Sequence, residues 1–457
     1  MGLMERFNKV FVYFSLFIFS FVFLLFLCTN NLIFLFIILF IGLFLCRINF
    51  KRFWLVLFFV SFLVRLVFIL SANFPQVYDF ATLLDASHMF AVGDYSFSSW
   101  FHFHTWGYQT AFVIYQGFIL KLFGSELLLK ILNVIYSSCL VLFIYFMGKR
   151  ISSERSARMV SFLYMIFPFP LFLNSVLCNH HLSCLLMYLG IFFLIRRDKK
   201  FSDYVIGGVL LSLGNIIRPE GIIGVLAFLV YTLFCLDKSK IFNTIIHMSA
   251  FLIVYFSIGW CANFLVINSG VNDSGLKNHD PLWKFILGFN HDTCGYYTDD
   301  DAKYQVDIST EVNIIKERAF SDLGKTGRLM LCKIDRFWLS SGLDMESGSF
   351  NDKSFNVMGV TIPFSKLESI AIDVNSYVYL SVFIMFFVGL FINKKNYSDT
   401  CLFFLIMIVI TFFVFLFIEI QPRYAYFIHI SLFILSSLGF EFLFNKFSSI
   451  KFLKKVL

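Results

Sequence analysis

Charged residues are scarce in this chain: Asp, Glu, Lys and Arg together make up only 14% of its 457 residues. An ordinary soluble domain carries about a quarter of its residues as these four types, so the composition excludes that class. Hydrophobic residues account for 59%, and Phe alone contributes 66 residues. Repeated apolar runs of about 18 or more residues are typical of membrane-spanning helices. The sequence therefore predicts an all-α, polytopic membrane protein.

Phosphate-binding and metal-binding motifs are also missing. The chain has no Gly-rich phosphate loop, so no nucleotide-binding fold is expected. Its ten Cys form neither a CxxC pair nor a Cys/His cluster with ligand-like spacing. We therefore predict no metal site, while a requirement for a divalent metal stays open. The net charge of +8 is expected on turns at the membrane surface, so it predicts no nucleic-acid partner.

Twelve apolar segments are predicted to be spans. The first follows Arg6 and Lys9 but is longer than the apolar region of a signal peptide, so we expect an uncleaved span. A further apolar run at 108–123 contains two Gln and one Lys, and it is predicted to be an interfacial helix on the outer face. The predicted spans lie near 10–28, 32–46, 53–72, 127–148, 158–175, 181–195, 204–217, 221–236, 243–267, 374–392, 400–418 and 424–444.

Basic turns alternate with these segments, and the alternation predicts sidedness. Nearly every Lys/Arg cluster falls on one face, which the positive-inside tendency assigns to the cytoplasm together with both termini. We expect a bacterial plasma membrane. The opposite, extracytoplasmic face receives the acid-containing loop 73–126, the hydrophilic loop 269–373, and turns at 176–180, 218–220 and 419–423.

The two long loops divide the chain into three predicted regions. Residues 1–268 form an N-terminal membrane region that includes the first outer loop, 269–373 an extracytoplasmic subdomain, and 374–457 a C-terminal membrane region. Within the subdomain, 308–338 is expected to hold one or two helices. Cys294 and Cys332 also lie there, and a disulfide between them is one alternative, because pairing cannot be read from the sequence.

Asp79, in "FPQVYDFATLLDASHMFAVGDY", is the first acid after the third predicted span. Ionisable groups near the membrane are costly to bury and are candidates for function. A partly desolvated carboxylate can accept a proton from a hydroxyl nucleophile. The alternative is a structural Asp at a helix N-terminus after Pro75. On a helix, Asp85 would face away from Asp79.

Two arginines lie at predicted outer boundaries of spans, Arg218 in "NIIRPEGII" and Arg423 in "EIQPRYAYF". A guanidinium binds phosphate through a rigid fork of donors. The alternative is interfacial anchoring with local salt bridges to Glu220 and Glu419. Positive charge on the outer face runs against the general bias, which favours a binding role.

Two histidine pairs are further candidates: His180 and His181 in "CNHHLS", and His102 and His104 in "FHFHTW". A His-x-His pair can ligate a metal, but neither pair has a neighbouring acid or Cys in a ligand-like pattern. We therefore predict structural or substrate-contact roles.

These motifs together resemble the GT-C superfamily of membrane glycosyltransferases, of the bacterial type related to protein O-mannosyltransferases and aminoarabinose transferases. "QVYDFATLLDASHMFAVGDY" is similar to the family's first outer loop, and "FILKLFGSELLLKILNVIYSSCLVLFIYFMGKRISSERSARMVSFLYMIFPF" to the run that follows it. "NIIRPEGII" resembles the "RP.G" turn, "PLWKFILGFNHDTCGYYTDDD" the opening of the large outer loop, and "EIQPRYAYF" the "E.Q.RY" turn. The likeness spans most of residues 60–440, and the order and sidedness of the motifs agree with it.

The resemblance implies a glycosyltransferase that acts at the outer leaflet, with a sugar on polyprenyl phosphate as donor and a hydroxyl of a glycan, lipid or protein as acceptor. It implies that Asp79 is the general base of an inverting transfer and that Arg218 and Arg423 stabilise the donor phosphate. This chain has Phe80 where some relatives have a second acid, and Asn179, His180 and His181 in the outer turn where many have an acid. Asp79 would then have either a weaker partner or a His in place of that acid. The further candidate substrate contacts are Asp85, His180, His181, Glu220, Glu419, Gln421 and Tyr424.

Two other functions remain alternatives: a polysaccharide polymerase or ligase, and a lipid-linked glycan flippase. A polymerase or ligase shares the many spans and a basic outer loop but needs no base in the first outer loop. A flippase is favoured by Gly/Pro-interrupted helices in repeated halves, a symmetry that this sequence lacks.

Overall fold

The computed structural model describes residues 51–71, 75–280, 282–305, 307–339, 354–357, 360–393 and 397–449, with Phe11, Phe14, Ser15 and Ile18. Apart from those four residues, the predicted spans at 10–28 and 32–46 lie outside this part. The α-helices are α1 (Phe53–Ser71), α2 (Asp79–Val92), α3 (Phe101–Thr105), α4 (Gln109–Phe123), α5 (Glu126–Ile151), α6 (Glu154–Ile166), α7 (Pro168–Leu173), α8 (His180–Leu194), α9 (Phe201–Ile217), α10 (Gly221–Phe234), α11 (Ile241–Asn268), α12 (Trp283–Gly288), α13 (Ile308–Phe320), α14 (Leu323–Ile334), α15 (Phe364–Asn393), α16 (Asp399–Phe417) and α17 (Tyr426–Ser449). Single turns of 3₁₀ helix occupy Ser96–Ser99, Lys238–Lys240, Asp299–Tyr304 and Pro422–Ala425, and a π-helical turn occupies Asp335–Leu339.

Six helices of the described part are long and apolar enough to cross a membrane: α1, α5, α11, α15, α16 and α17. Three shorter apolar helices, α8, α9 and α10, lie between them in the chain. The strands found in the same part form one short antiparallel hairpin of β1 (Ser354–Val357) and β2 (Val360–Pro363). The chain is therefore a multi-pass, helical membrane protein, which confirms the predicted fold class without reproducing all twelve spans.

Helix α17 lies at the centre of the bundle, where it packs against α5, α6, α8, α15 and α16. In its most apolar stretch 83% of the residues are buried, against 17% for α11, most of whose side chains are exposed. A Cβ on Gly439 of α17 would lie 1.9 Å from the carbonyl oxygen of Met385 on α15. Glycine is therefore required at this crossing, as small residues are wherever membrane helices approach closely.

The predicted span at 158–175 is wrong as a single helix. Helix α6 ends at Ile166, Phe167 is extended with φ −64° and ψ 116°, and α7 begins at Pro168. A proline has no N–H to donate and forces the preceding residue out of the helical conformation. The freed N–H of Phe169 donates instead to the side-chain oxygen of Asn375, at 3.0 Å.

The outer loops contain the predicted helices. The run 108–123 forms α4, which packs on α2 of the same loop; its depth in the membrane stays a prediction. Region 308–338 holds two helices, α13 and α14, and Cys294 and Cys332 are joined by a disulfide with a Cα–Cα distance of 5.9 Å. Helix α15 begins at Phe364 rather than at the predicted boundary of 374. The division into three regions remains a prediction.

Candidate functional site

A cavity of about 430 Å³ lies at the end of the bundle where α8 and α10 begin and α16 ends. Three parts of the chain form its wall: the first outer loop, the large outer loop and the turn 419–424. Pockets of a few hundred Å³ lined by apolar side chains and a few polar groups are typical of small-molecule sites. Eight aromatic side chains line this one: Tyr78, Phe80, Phe101, Trp106, Tyr108, Tyr296, Tyr297 and Tyr424.

Asp79 and Arg423 meet in this cavity although 344 residues separate them in the sequence. The Arg423 guanidinium donates to the carboxylate of Asp79 at 2.5 Å, and the Asp79 side chain remains 40% exposed to the cavity. Burial by itself raises the pKa of Asp79, but the charge of Arg423, helped by that of His102, holds it below its ordinary value. The carboxylate is therefore ionised at neutral pH.

The backbone adopts unusual conformations on both sides of the cavity. Among the described residues, Tyr78 and Cys294 are the only ones other than glycine with positive φ, at 50° and 58°. Tyr78 immediately precedes Asp79, and Cys294 lies two residues before Tyr296. Such strained residues cost about 1–3 kcal/mol each and concentrate at functional sites. Here they orient the acid and the aromatic wall.

Arg218 lies behind the wall of the cavity rather than in it. Its guanidinium pairs with Glu220 at 2.5 Å, donates to the side-chain oxygen of Asn179 at 3.2 Å, and lies 5.1 Å from the centroid of the Tyr424 ring. Arg218 thus supports Tyr424 from the buried side and adds positive potential near Arg423.

Glu419 is the second acid of the cavity. Its side chain is 1% exposed, and one carboxylate oxygen accepts from Gln421 at 2.8 Å and from the hydroxyl of Tyr424 at 3.2 Å. The other oxygen, Oε2, is buried and has no hydrogen-bond partner in the described part of the chain. A buried acceptor without a donor is costly, so Glu419 carries an unsatisfied oxygen beneath the cavity surface.

Lys284 lines the same cavity, and the sequence analysis did not single it out. Its ammonium lies 5.2 Å from the ring centroid of Trp106 and 5.1 Å from that of Tyr424. It forms no ion pair within 4.0 Å with a carboxylate of the described residues, unlike Arg218 and Arg423. The motif "PLWKFILGF" contained this lysine, but only the tertiary structure places it opposite Asp79.

The large outer loop is fixed to the turn 419–424 by backbone contacts. The N–H of Glu419 donates to the carbonyl of Lys284 at 2.7 Å, and that of Ile420 donates to the carbonyl of Gly295 at 2.9 Å. A Cβ on Gly288 would lie 2.4 Å from the carbonyl oxygen of Phe417, so the contact requires glycine.

Lys333 also attaches the large outer loop to the end of α16 and the turn that follows it. Its ammonium is almost fully buried and donates to three carbonyl oxygens, those of Gly288, Leu416 and Ile418, at 2.7–2.8 Å. Two of these belong to the C-terminal end of α16 and the residue after it, where a cation complements the helix dipole. Lys333 directly follows Cys332, so the disulfide and the Lys333 hydrogen bonds restrain neighbouring residues of the loop.

The other predicted contacts lie outside the cavity wall. Asp85 is exposed on α2, away from Asp79, as its spacing predicted. Glu220 is buried against Arg218. His180 and His181 are fully buried beneath the site, and His181 shares a 2.7 Å hydrogen bond with Tyr426. These two histidines therefore support the helices below the cavity rather than reach it in this structure.

The pair His102 and His104 is divided between two environments. His102 lines the cavity and bonds Gln109 at 2.9 Å, whereas the ring of His104 stacks on His279 with centroids 4.1 Å apart. In the described residues no group of three or more His, Cys, Asp or Glu side chains is arranged to hold a metal ion.

No family model and no curated protein matches the chain, but solved structures do. The archaeal oligosaccharyltransferase AglB from Archaeoglobus fulgidus, in complex with an inhibitory peptide and a dolichol-phosphate, is 13% identical with a TM-score of 0.49, over 89% of this chain and 52% of its own. ArnT from Cupriavidus metallidurans, bound to undecaprenyl phosphate, is 14% identical with a TM-score of 0.39, over 86% of this chain and 78% of its own. The chain thus spans about half the length of the oligosaccharyltransferase. At these values function has to be argued from the residues of the cavity.

Proposed function

We propose that this protein is a glycosyltransferase that moves a sugar from a polyprenyl-phosphate donor to a hydroxyl acceptor, with the cavity on the extracytoplasmic face. The observation that carries the proposal is the meeting of Asp79, Arg423 and Lys284 in one aromatic-lined cavity. A carboxylate beside cations suits a reaction in which a proton leaves one substrate while negative charge grows on another. The motif resemblance supports the same reaction class.

In the proposed reaction, Asp79 takes the proton from the acceptor hydroxyl as its oxygen attacks the anomeric carbon of the donor sugar. A new C–O bond forms, the bond from that carbon to the phosphate oxygen breaks, and its electron pair leaves with the polyprenyl phosphate. Attack on the face opposite the leaving group inverts the anomeric centre. Arg423 and Lys284 stabilise the leaving phosphate, and preorganised donors of this kind are worth about 3–4 kcal/mol each.

The ion pair between Asp79 and Arg423 couples donor binding to the base. A donor phosphate competes with Asp79 for the Arg423 guanidinium, because a guanidinium binds both groups through the same fork of donors. When Arg423 turns to the phosphate, Asp79 is left without its ion-pair partner and becomes a stronger base. The acceptor is thereby deprotonated only when the donor is in place.

Replacing Arg423 with Gln should shift the acid limb of the pH–rate profile. The guanidinium holds the pKa of Asp79 below its ordinary value of about 3.9, so in the wild type Asp79 stays ionised at every pH above that range. Without the cation, the effect of burial is opposed much less, so the pKa of Asp79 rises and the acid limb of kcat/KM moves to higher pH. Arg328→Gln, at an exposed position of α14, is the matched control. If the acid limb of the pH–rate profile stays where it is in Arg423→Gln, Asp79 is not the base.

Lys284 is proposed to hold the donor phosphate because it lines the cavity and forms no ion pair within 4.0 Å with a carboxylate of the described residues. Lys284→Met should raise the donor KM by about tenfold or more, since a charge-assisted contact is worth about 1.5–3 kcal/mol. Lys284→Arg should restore much of the affinity, and Lys303→Met, at an exposed position of the same loop, should behave as wild type. A change in acceptor KM alone would contradict this assignment.

The prenyl chain has an adjacent groove to occupy. A second, largely apolar cavity of about 700 Å³ lies between α9 and α11 and is lined by Tyr255, Phe256 and Trp260. Trp260 and Phe256 are 66% and 59% exposed on the lipid-facing side. Tyr108 lines both cavities, so a lipid chain in the groove would bring its phosphate to the active site.

The size and lining of the site favour a small donor sugar. A volume of about 430 Å³ suits one or two sugar units together with the acceptor group rather than a long oligosaccharide. The aromatic rings of the lining offer apolar faces for sugar C–H groups.

The direct test is transfer by purified protein in proteoliposomes supplied with synthetic polyprenyl-phosphate sugars and hydroxyl acceptors, with the product detected by mass. Transfer that requires Asp79 supports the proposal. A polymerase or ligase would use a lipid-diphosphate glycan without needing Asp79, and a flippase would move the donor across the membrane and leave it intact, so the three outcomes are distinct.

A further inference from the structure

A third cavity, polar and of about 680 Å³, lies at the end of the helix bundle opposite the candidate functional site. It is formed where α5, α8 and α10 end and α16 begins, whereas the candidate active site lies where α8 and α10 begin and α16 ends. The two sites are therefore separate, and the reaction proposed above makes no use of this one. Four basic side chains line it: Arg150, Arg196, Arg197 and Lys199.

Two of these cations are held in place by uncharged groups. The guanidinium of Arg150 donates to the carbonyl of Ile195 at 2.7 Å, and the ammonium of Lys199 lies 5.4 Å from the ring centroid of Tyr231. Arg196 is the exception, because it forms an ion pair with Asp203 at 2.9 Å.

The positive charge of the cavity is only partly compensated. Arg150, Arg197 and Lys199 form no ion pair within 4.0 Å with a carboxylate of the described residues. Two carboxylates, Asp198 and Asp399, also line the cavity, against the four basic side chains. Burial lowers the pKa of Lys199, so an anion bound beside it would stabilise its charged form.

The N-terminus of α16 opens on the same cavity and adds to its positive potential. Ser398 caps this 19-residue helix by accepting from the N–H of Cys401, and Ser398 and Thr400 line the cavity. The first N–H groups of a helix have no partner within it and favour an anion. Three cations that form no ion pair within 4.0 Å in the described part of the chain thus meet a helix N-terminus in one space large enough for a ligand.

We propose that this cavity binds the phosphate headgroup of an anionic membrane lipid from the leaflet on that side. Phe192, Ile195 and Tyr231 give it an apolar wall next to the cations, which suits a phosphate attached to a lipid rather than a free ion. Because the lining comes from α5, α8, α10 and α16, a bound headgroup would join helices that are distant in the sequence and stabilise their packing.

The test measures thermal unfolding of the purified full chain in a neutral detergent during titration with dioctanoyl phosphatidylglycerol. The expected result is a saturable rise in the unfolding midpoint. Dioctanoyl phosphatidylcholine, which has the same tails and no net charge, should give none. An equal rise with inorganic phosphate alone would overturn the lipid as the source of the anion, and no rise with phosphatidylglycerol would overturn the site.

A variant with Arg150→Gln, Arg197→Gln and Lys199→Gln should bind phosphatidylglycerol at least about tenfold more weakly. The matched control removes three exposed positive charges from the same end of the bundle, through Lys51→Gln, Arg52→Gln and Arg155→Gln, and should bind as wild type. Equal loss in both would mean general attraction to a basic face and would overturn the proposal.

If the triple variant does not fold, the single substitution Arg197→Gln tests the lipid site instead. Arg197 is exposed and outside the helices, so its replacement should leave the fold intact. It should weaken binding several-fold, and unchanged binding would count against the site.

Discussion

Asp79→Asn should abolish sugar transfer, with kcat lowered by about 10²–10⁴-fold, the range that a positioned general base supplies. Asparagine keeps the size of the side chain and can still accept a hydrogen bond from Arg423, but it cannot take the acceptor proton at neutral pH. The KM for the donor should fall or stay unchanged, because Arg423 is released from its carboxylate partner and remains free to bind phosphate. Steady-state transfer in proteoliposomes gives both constants.

The control for this loss is Asp85→Asn, on the same helix but exposed and outside the cavity. It should keep the wild-type rate. Because Asp79→Asn also removes an ion pair, its thermal unfolding is measured in parallel to separate a lost base from a lost fold. If the Asp79→Asn protein is folded and retains most of the wild-type transfer rate, the proposed mechanism is wrong and the polymerase or ligase alternative is favoured.

Lys333→Met should destabilise the protein by roughly 3 kcal/mol, because one buried and two partly buried carbonyl oxygens lose their donor, and an unsatisfied buried acceptor costs about 1–3 kcal/mol. The expected result is a lower midpoint of thermal unfolding. Activity should fall as well, since Ile418 directly precedes Glu419 and the contact fixes the turn that forms one side of the cavity.

Lys325→Met is the matched control, because Lys325 is exposed on the same helix, α14. It should leave both the midpoint and the activity unchanged. If Lys333→Met unfolds like the control, the three contacts are not what attaches the outer loop to α16, and the backbone contacts of Glu419 with Lys284 and of Ile420 with Gly295 hold the loop in place without them.

The motif analysis singled out three residues that line the cavity, for an identifiable reason. A charged residue beside an apolar span is costly, so Asp79, Arg423 and Glu419 stood out against a background of Phe and Leu. Their extracytoplasmic side stays a prediction from the alternation of basic turns. The aromatic residues and Lys284 carried no such signal, because a lysine or tyrosine in a hydrophilic loop is ordinary.

The histidines show what the motif left open. His180 and His181 were predicted to have structural or substrate-contact roles from their place in an outer turn, and in this structure both are buried below the cavity. Sequence position fixes which end of a helix a residue occupies, but its direction depends on which neighbours the helix packs against. Arg218 was displaced in the same way, behind Tyr424 rather than into the cavity.

By itself, the sequence determined that this chain is a multi-pass helical membrane protein, because no soluble fold can bury so much apolar surface with so little charge. It also determined which turns hold ionisable groups. Only the tertiary structure decided that Asp79 pairs with Arg423, that Lys284 lines the same cavity, and that Lys333 joins the outer loop to α16. The reason is physical: these contacts join residues separated by tens to hundreds of positions, and helix packing, not local sequence, brings such residues together.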